Sequence, residues 1–236
     1  MLSKKIVVVD VDDVLYGLNE ALESVLKDKY PSYSRENVKT WKFNSDLSDE
    51  CKLALGIDLK DPTNGLGVPL EDIYFRLHTT SLFRHESDFR YAIPRFKELC
   101  DKCEVVISTS GTTVDICKFK VAMLNSLLNE LGVTACISVH MCAEYVAEYV
   151  SDGKSVYKQA RGSVPKPAIT CDYVIEDSVD NLKRYDTTVS KFLVDKPYNQ
   201  LSYCNEENVS FLIEPRNQVL RVSDVNEAID KILSED

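Results

Sequence analysis

The N-terminus lacks the apolar stretch of a signal peptide or a membrane span. The run after Lys4 and Lys5 is short and stops at Asp10. Basic residues are the minority, 28 against 38 acidic, for a formal net charge of −10. That excludes long nucleic acid and anionic membrane as partners, since both require a basic face. A small phosphorylated substrate is not excluded, because it feels only the local site. No second CxxC pair accompanies Cys100–Cys103, so a four-cysteine zinc site is excluded. The eight cysteines then read as reduced and mostly buried, which implies a cytoplasmic protein. There is no internal repeat or low-complexity segment, and Trp41 is the only tryptophan. What remains is an ordinary globular composition, 44% hydrophobic and 28% charged, over 236 residues. That length suits one large domain or a core with an insertion.

The organising stretch is Val7 to Leu15, VVVDVDDVL. A dense β-branched run reads as a parallel strand buried on both faces. Asp10, at its end, therefore sits on the rim of a sheet, where open α/β folds bind ligands. Asp10, Asp12 and Asp13 repel one another and call for a counter-charge. A divalent cation supplies it, and hard oxygen ligands suit Mg²⁺.

Further strands are expected at Glu104–Ser108, near Ala135–Val139, at Asp172–Ile175 and at Lys191–Val194. Gly17 provides a sharp exit into a first helix that Tyr30-Pro31 ends. Other helices are expected at Tyr91–Cys100, after Gly111 with apolar positions Val121, Leu124, Leu127, Leu128 and Leu131, at Met141–Val150, and at Val225–Leu233. Ser151–Pro167 reads as a polar loop. Strands alternating with helices, with acids and hydroxyls at strand ends, predict a doubly wound parallel sheet of the α/β class. Residues 31–85 differ: short helical pieces alternate with polar turns, and no β-branched run appears.

Three more groups fall at strand ends. Thr109 follows VVIS; its hydroxyl and the amides of Ser110 and Gly111 can hold phosphate oxygens, aided by the next helix N-terminus. A lysine is needed to offset crowded acids and phosphate, and the candidates are Lys154, Lys158 and Lys166. Glu176-Asp177-Ser178 ends another apolar strand. Each group alone also fits a helix cap, but their order along the chain makes the joint pattern specific.

That pattern resembles the haloacid dehalogenase superfamily, whose phosphatases carry DxDx(T/V). Lys166, leading into a strand that ends in paired acids, resembles the cytosolic and mitochondrial 5′(3′)-deoxyribonucleotidases. Where many relatives have Gly in the first motif, this chain has Asp13. Glu176-Asp177 replaces the Asp-Asp pair of the deoxyribonucleotidases.

The resemblance implies a core of residues 1–16 and 86–236 and a helical C1-type cap of residues 17–85. It implies a Mg²⁺-dependent phosphomonoester hydrolase with Asp10 as nucleophile and Asp12 as general acid/base. Thr109, Ser110, Gly111 and Lys166 would bind phosphate. Asp10, the Asp12 carbonyl and Asp177 would bind the metal, with Glu176 acting through water. A nucleoside monophosphate is the favoured substrate, with Trp41, Phe43, Tyr74, Phe75 and Phe83 of the cap available for stacking. A phosphatase of sugar phosphates or other small metabolites, and a non-catalytic phosphate-binding module, are the alternatives.

Overall fold

The computed structural model describes residues 4–29, 90–111, 114–141, 145–149, 155–159 and 166–235. In chain order the described elements begin with β1 (Ile6–Val9), α1 (Leu18–Lys29), α2 (Phe96–Lys102), β2 (Glu104–Gly111), α3 (Val114–Leu131) and β3 (Cys136–Met141). A hairpin, β4 (Tyr145–Tyr149) and β5 (Ser155–Gln159), follows. The chain continues with β6 (Tyr173–Glu176), α4 (Val179–Leu182), β7 (Ser190–Val194), α5 (Glu206–Ile213), β8 (Val219–Val222) and α6 (Val225–Ser234).

Six strands form one sheet in the order β3-β2-β1-β6-β7-β8, and every pairing in it is parallel. The expected doubly wound α/β architecture is the one observed. Its strands are apolar throughout because both faces are covered. Val7, Val9, Ile107, Ile175 and Phe192 turn to one face and pack with Leu18 of α1, Phe96 of α2, Leu124 of α3 and Ile229 of α6. Val8, Val106, Val174 and Leu193 turn to the other and meet Val179 and Leu182 of α4. Each fully buried aliphatic or Phe side chain contributes roughly 1.5–3 kcal/mol. The last helix shows how sequence sets the packing. Asp224 caps it by accepting from the Glu227 amide at 3.0 Å, and Val225, Ala228, Ile229, Ile232 and Leu233 form its buried stripe.

The topology places the site. The chain runs outward from β1 through β2 to β3, then returns to β6 on the other flank of β1. Strand order reverses there, and the C-terminal ends of β1, β2 and β6 open a crevice between them.

Several expectations are corrected. The Met141–Val150 segment is not a helix: β3 ends at Met141, and Tyr145–Tyr149 pairs antiparallel with Ser155–Gln159. Its tyrosines and valines favour the extended form once a partner strand is near. The same pairing puts a strand inside the expected loop of 151–167. β2 runs three residues beyond Ser108, so Thr109, Ser110 and Gly111 belong to the strand, opposite Val139, His140 and Met141. β8 escaped the reading because it is a four-residue, half-exposed edge strand. Among the six described cysteines, all free, only Cys103 is buried and Cys136 is exposed. No described helix is long and apolar enough to cross a membrane. Most of the expected cap, with Trp41, Phe43, Tyr74, Phe75 and Phe83, lies outside the described residues, as does Lys154.

Candidate active site

Strand register brings the acids together. Val9 pairs with Ile175, and the Asp10 amide donates to the Ile175 carbonyl at 2.9 Å. Asp10 therefore leaves β1 beside Glu176, the last residue of β6, and Asp177 follows directly. Carboxylate oxygens of Asp10, Glu176 and Asp177 lie within 4.8 Å of one another, and all three residues are buried. Lys154 and the side chain of Lys158 lie outside the described residues, and Lys166 joins the three acids. Its Nζ is 2.6 Å from Oδ1 of Asp10, ion-paired with Glu176, and 3.5 Å from the Ser108 carbonyl.

One ammonium does not neutralise three buried carboxylates. Burial, with the Glu176 charge next in size, pushes the Asp10 carboxyl up to about 7, although Lys166 pulls it down. Burial, then Asp10 and Glu176, raises Asp177 well above the carboxylate range. Burial works against the Lys166 charge, but Asp10 and Glu176 outweigh it and hold the lysine protonated. Glu176 is the most engaged of the acids: its Oε1 also accepts from Asn181 Nδ2 at 3.1 Å, and its Oε2 from the Ser178 amide at 3.4 Å.

After Asp10 the chain makes a tight reversal. The amides of Leu15 and Tyr16 both donate to the Val11 carbonyl, and the Asp13 amide donates to the Tyr16 carbonyl at 2.6 Å. Asp13 has φ +57°, the left-handed region that glycine prefers and Asp tolerates. Its buried carboxylate accepts from the Asn19 amide at 3.0 Å and from the Asn19 side chain, satisfying an orphan donor in the first turn of α1. Asp13 is thus a structural residue of the loop. Gly17 does not supply a left-handed turn. A Cβ there would lie 2.6 Å from Glu20 Oε2 and 3.0 Å from the Tyr91 hydroxyl, so the exposed Glu20 carboxylate would have to swing aside.

Asp12 and Thr109 meet through a residue the sequence reading missed. Lys120, buried on α3, pairs with Oδ2 of Asp12 and donates to Thr109 Oγ1 at 3.1 Å and to the Ser110 carbonyl at 2.7 Å. Helical side chains lean toward their own N-terminus, which sends Lys120 back to the strand ends. The signal was present: position 120 lies on the same helical face as Leu124, Leu127 and Leu131, where a lysine must find buried partners.

Tyr198 and Asn199 were also missed. They lie in a short 3₁₀ turn, Pro197–Asn199, just past β7. The Tyr198 hydroxyl contacts Oδ2 of Asp177 and, at 2.9 Å, Oδ2 of Asp13. It has one proton, so the second contact needs a proton on a carboxyl. Asn199 Nδ2 donates to the carbonyls of Asp177 (2.9 Å) and Val194 (2.7 Å) and fixes the backbone after β6.

No family model matches the sequence, and no curated protein matches it significantly. Solved structures do share the fold. A haloacid dehalogenase-like hydrolase from Burkholderia xenovorans LB400 superposes with a TM-score of 0.50 at 12% identity, covering 98% of both chains. At that identity the likeness establishes the fold alone. A haloacid dehalogenase-like family hydrolase from Streptococcus pneumoniae matches at TM-score 0.41 and 8% identity, covering 98% of this chain and 100% of its own. A protein from Clostridium acetobutylicum described as a phosphatase matches at 0.39 and 13%, covering 98% and 99%. The doubly wound α/β core expected from the sequence is thus one that the Burkholderia hydrolase shares.

Proposed function

We propose that the protein is a divalent-cation-dependent phosphomonoester hydrolase that works through an aspartyl-phosphate on Asp10. The observation carrying this reading is the convergence of Asp10, Glu176 and Asp177 at the switch point, with Lys166 bonded to the nucleophile. The donor set fits a hard cation: three buried carboxylates with one lysine between them, and a tyrosine hydroxyl with a single proton set between Asp177 and Asp13. Asp10, Asp177 and the Asp12 carbonyl would hold it. Glu176, already engaged by Lys166, Asn181 and Ser178, fits a supporting role beside them. Mg²⁺ is the expected ion, and when bound it would offset the charge of a phosphate dianion approaching these acids.

In the first half-reaction an Asp10 oxygen bonds to phosphorus as the bond to the leaving oxygen breaks, and Asp12 gives its proton to the departing alkoxide. In the second, Asp12 takes a proton from water as that water bonds to phosphorus and the Asp10–phosphorus bond breaks. Thr109 and Lys166 would hold the equatorial oxygens, Lys166 exchanging its long 3.5 Å contact with the Ser108 carbonyl for one of them. In an extended strand the amide and carbonyl of one residue point to the same side. The Ser110 carbonyl accepts from Lys120, and its amide, on the same side of the strand, would donate to phosphate. Gly111, the next residue, would line the mouth of the site.

The class of substrate is a small phosphorylated metabolite. A nucleoside monophosphate is the first to test, because Lys166 leading into the strand that ends in Glu176-Asp177 resembles the deoxyribonucleotidases. A Mg²⁺ screen over nucleoside monophosphates, sugar phosphates and p-nitrophenyl phosphate tests the assignment. Turnover confined to sugar phosphates would move the substrate class, and phosphate binding without turnover would reduce the protein to a binding module.

A further inference from the structure

Two observations at Asp12 are left over from the assignment of its role. Its Oδ2 is held by Lys120, whereas its Oδ1 is buried and has no hydrogen-bond partner among the described residues. A buried, unpartnered carboxylate oxygen is costly and rare. Lys120, in contrast, is fully committed. An ammonium has three donors and no acceptor, and Lys120 has three acceptors: Asp12 Oδ2, Thr109 Oγ1 and the Ser110 carbonyl. It has none left for a phosphate oxygen.

We propose that Lys120 is a positioning residue that decides which oxygen of Asp12 carries the catalytic proton. It occupies Oδ2 and leaves Oδ1, the oxygen without a partner, as the one available to the leaving oxygen and then to the attacking water. The inference rests on the phosphomonoesterase reading above.

Donors must face acceptors at both oxygens of Asp12. A proton on Oδ2 would confront the N–H of Lys120, two donors face to face. On Oδ1 it meets no donor, and Oδ2 keeps its lone pairs for Lys120 in both protonation states. Lys120 thus sets the hydrogen-bond direction at Asp12 without touching substrate. Misplacing a reacting group by about an ångström costs roughly 10²-fold, which is the scale expected here.

The test compares the full-length parent with Lys120→Met, Lys120→Gln and Lys120→Arg, alone and with Asp12→Asn, in Mg²⁺. The substrates are an alkyl phosphate, whose leaving group needs the proton, and p-nitrophenyl phosphate, whose leaving group does not. Lys120→Met should lower kcat on the alkyl phosphate by about 10²-fold and on p-nitrophenyl phosphate far less, with KM and inhibition by inorganic phosphate little changed. Combined with Asp12→Asn it should add almost nothing, because both act on one proton. Lys120→Arg should recover part of the rate. Equal losses on both substrates, a rise in KM and in the phosphate inhibition constant, or full additivity with Asp12→Asn would each overturn the proposal while leaving the phosphatase reading intact. If Lys120→Met does not fold, the Gln and Arg variants carry the comparison. Unfolding of all three would make Lys120 purely structural. A parent protein that hydrolyses neither substrate would overturn the underlying reading and this proposal with it.

Discussion

Oδ1 of Asp10 lies 2.6 Å from Nζ of Lys166, and both groups are buried. The same ammonium reaches Glu176. Removing one partner of a buried pair leaves the other uncompensated and costs about 3–5 kcal/mol. Lys166→Met should therefore lose stability on that scale in urea denaturation with EDTA, and lose phosphatase activity. The stability loss should be larger at pH 8 than at pH 5, where the orphaned carboxyls can take up protons. A variant as stable as the parent at pH 8 would show that Lys166 does not carry this charge balance.

The pH dependence of the metal-free protein follows from the raised Asp10 carboxyl. Below about pH 4 it is protonated folded and unfolded alike. Between its ordinary value of 3.8 and about 7 the folded form keeps a proton that the unfolded chain has released. Stability should thus fall as pH rises through that window and level off above it. The contribution is of the order of 4 kcal/mol for this carboxyl, and the raised Asp177 acts in the same direction. Added Mg²⁺ should reverse most of the fall at pH 8, because a ligand that binds only the folded state stabilises it. A metal-free protein equally stable at pH 5 and pH 8 would contradict the burial of these acids.

Asp13 combines a left-handed backbone with buried acceptor bonds. Alanine there faces a conformational cost of about 1–2 kcal/mol and loses the bonds to Asn19 and Tyr198. Glycine loses only the bonds. Asp13→Gly should therefore melt above Asp13→Ala, with both below the parent. The reverse order would show that the backbone conformation is not what selects the residue.

The parts of this molecule that were legible in the sequence are those written in local patterns. Val7–Val9 announced a buried parallel strand because every position was apolar. Asp10, Thr109 and Asp177 were legible as candidates because they fall at or near strand ends, and Lys166 because it leads into the strand that ends in Glu176. The illegible parts depended on partners distant in sequence. Tyr145–Tyr149 became a strand only through Ser155–Gln159. Lys120 looked like one more lysine of a helix until the helix was laid against Asp12, 108 residues away. Tyr198 is separated from Asp13 by 185 residues, and nothing local marks their contact. Glu176 was readable as one of the clustered acids, but its pairing with Lys166 was not. Asp13 was readable as an acid and misread in purpose: its backbone angle and its bond to the Asn19 amide give it a loop-building role.

The central claim is that Asp10 is phosphorylated during turnover. Borohydride reduces an acyl phosphate, so treating the protein with substrate, Mg²⁺ and then borohydride should convert residue 10 to homoserine, read by peptide mass spectrometry. The account predicts that modification in the parent and its absence in Asp10→Asn, in samples lacking substrate and in samples with EDTA. Phosphatase turnover with residue 10 unmodified, or with the adduct on another side chain, would contradict it.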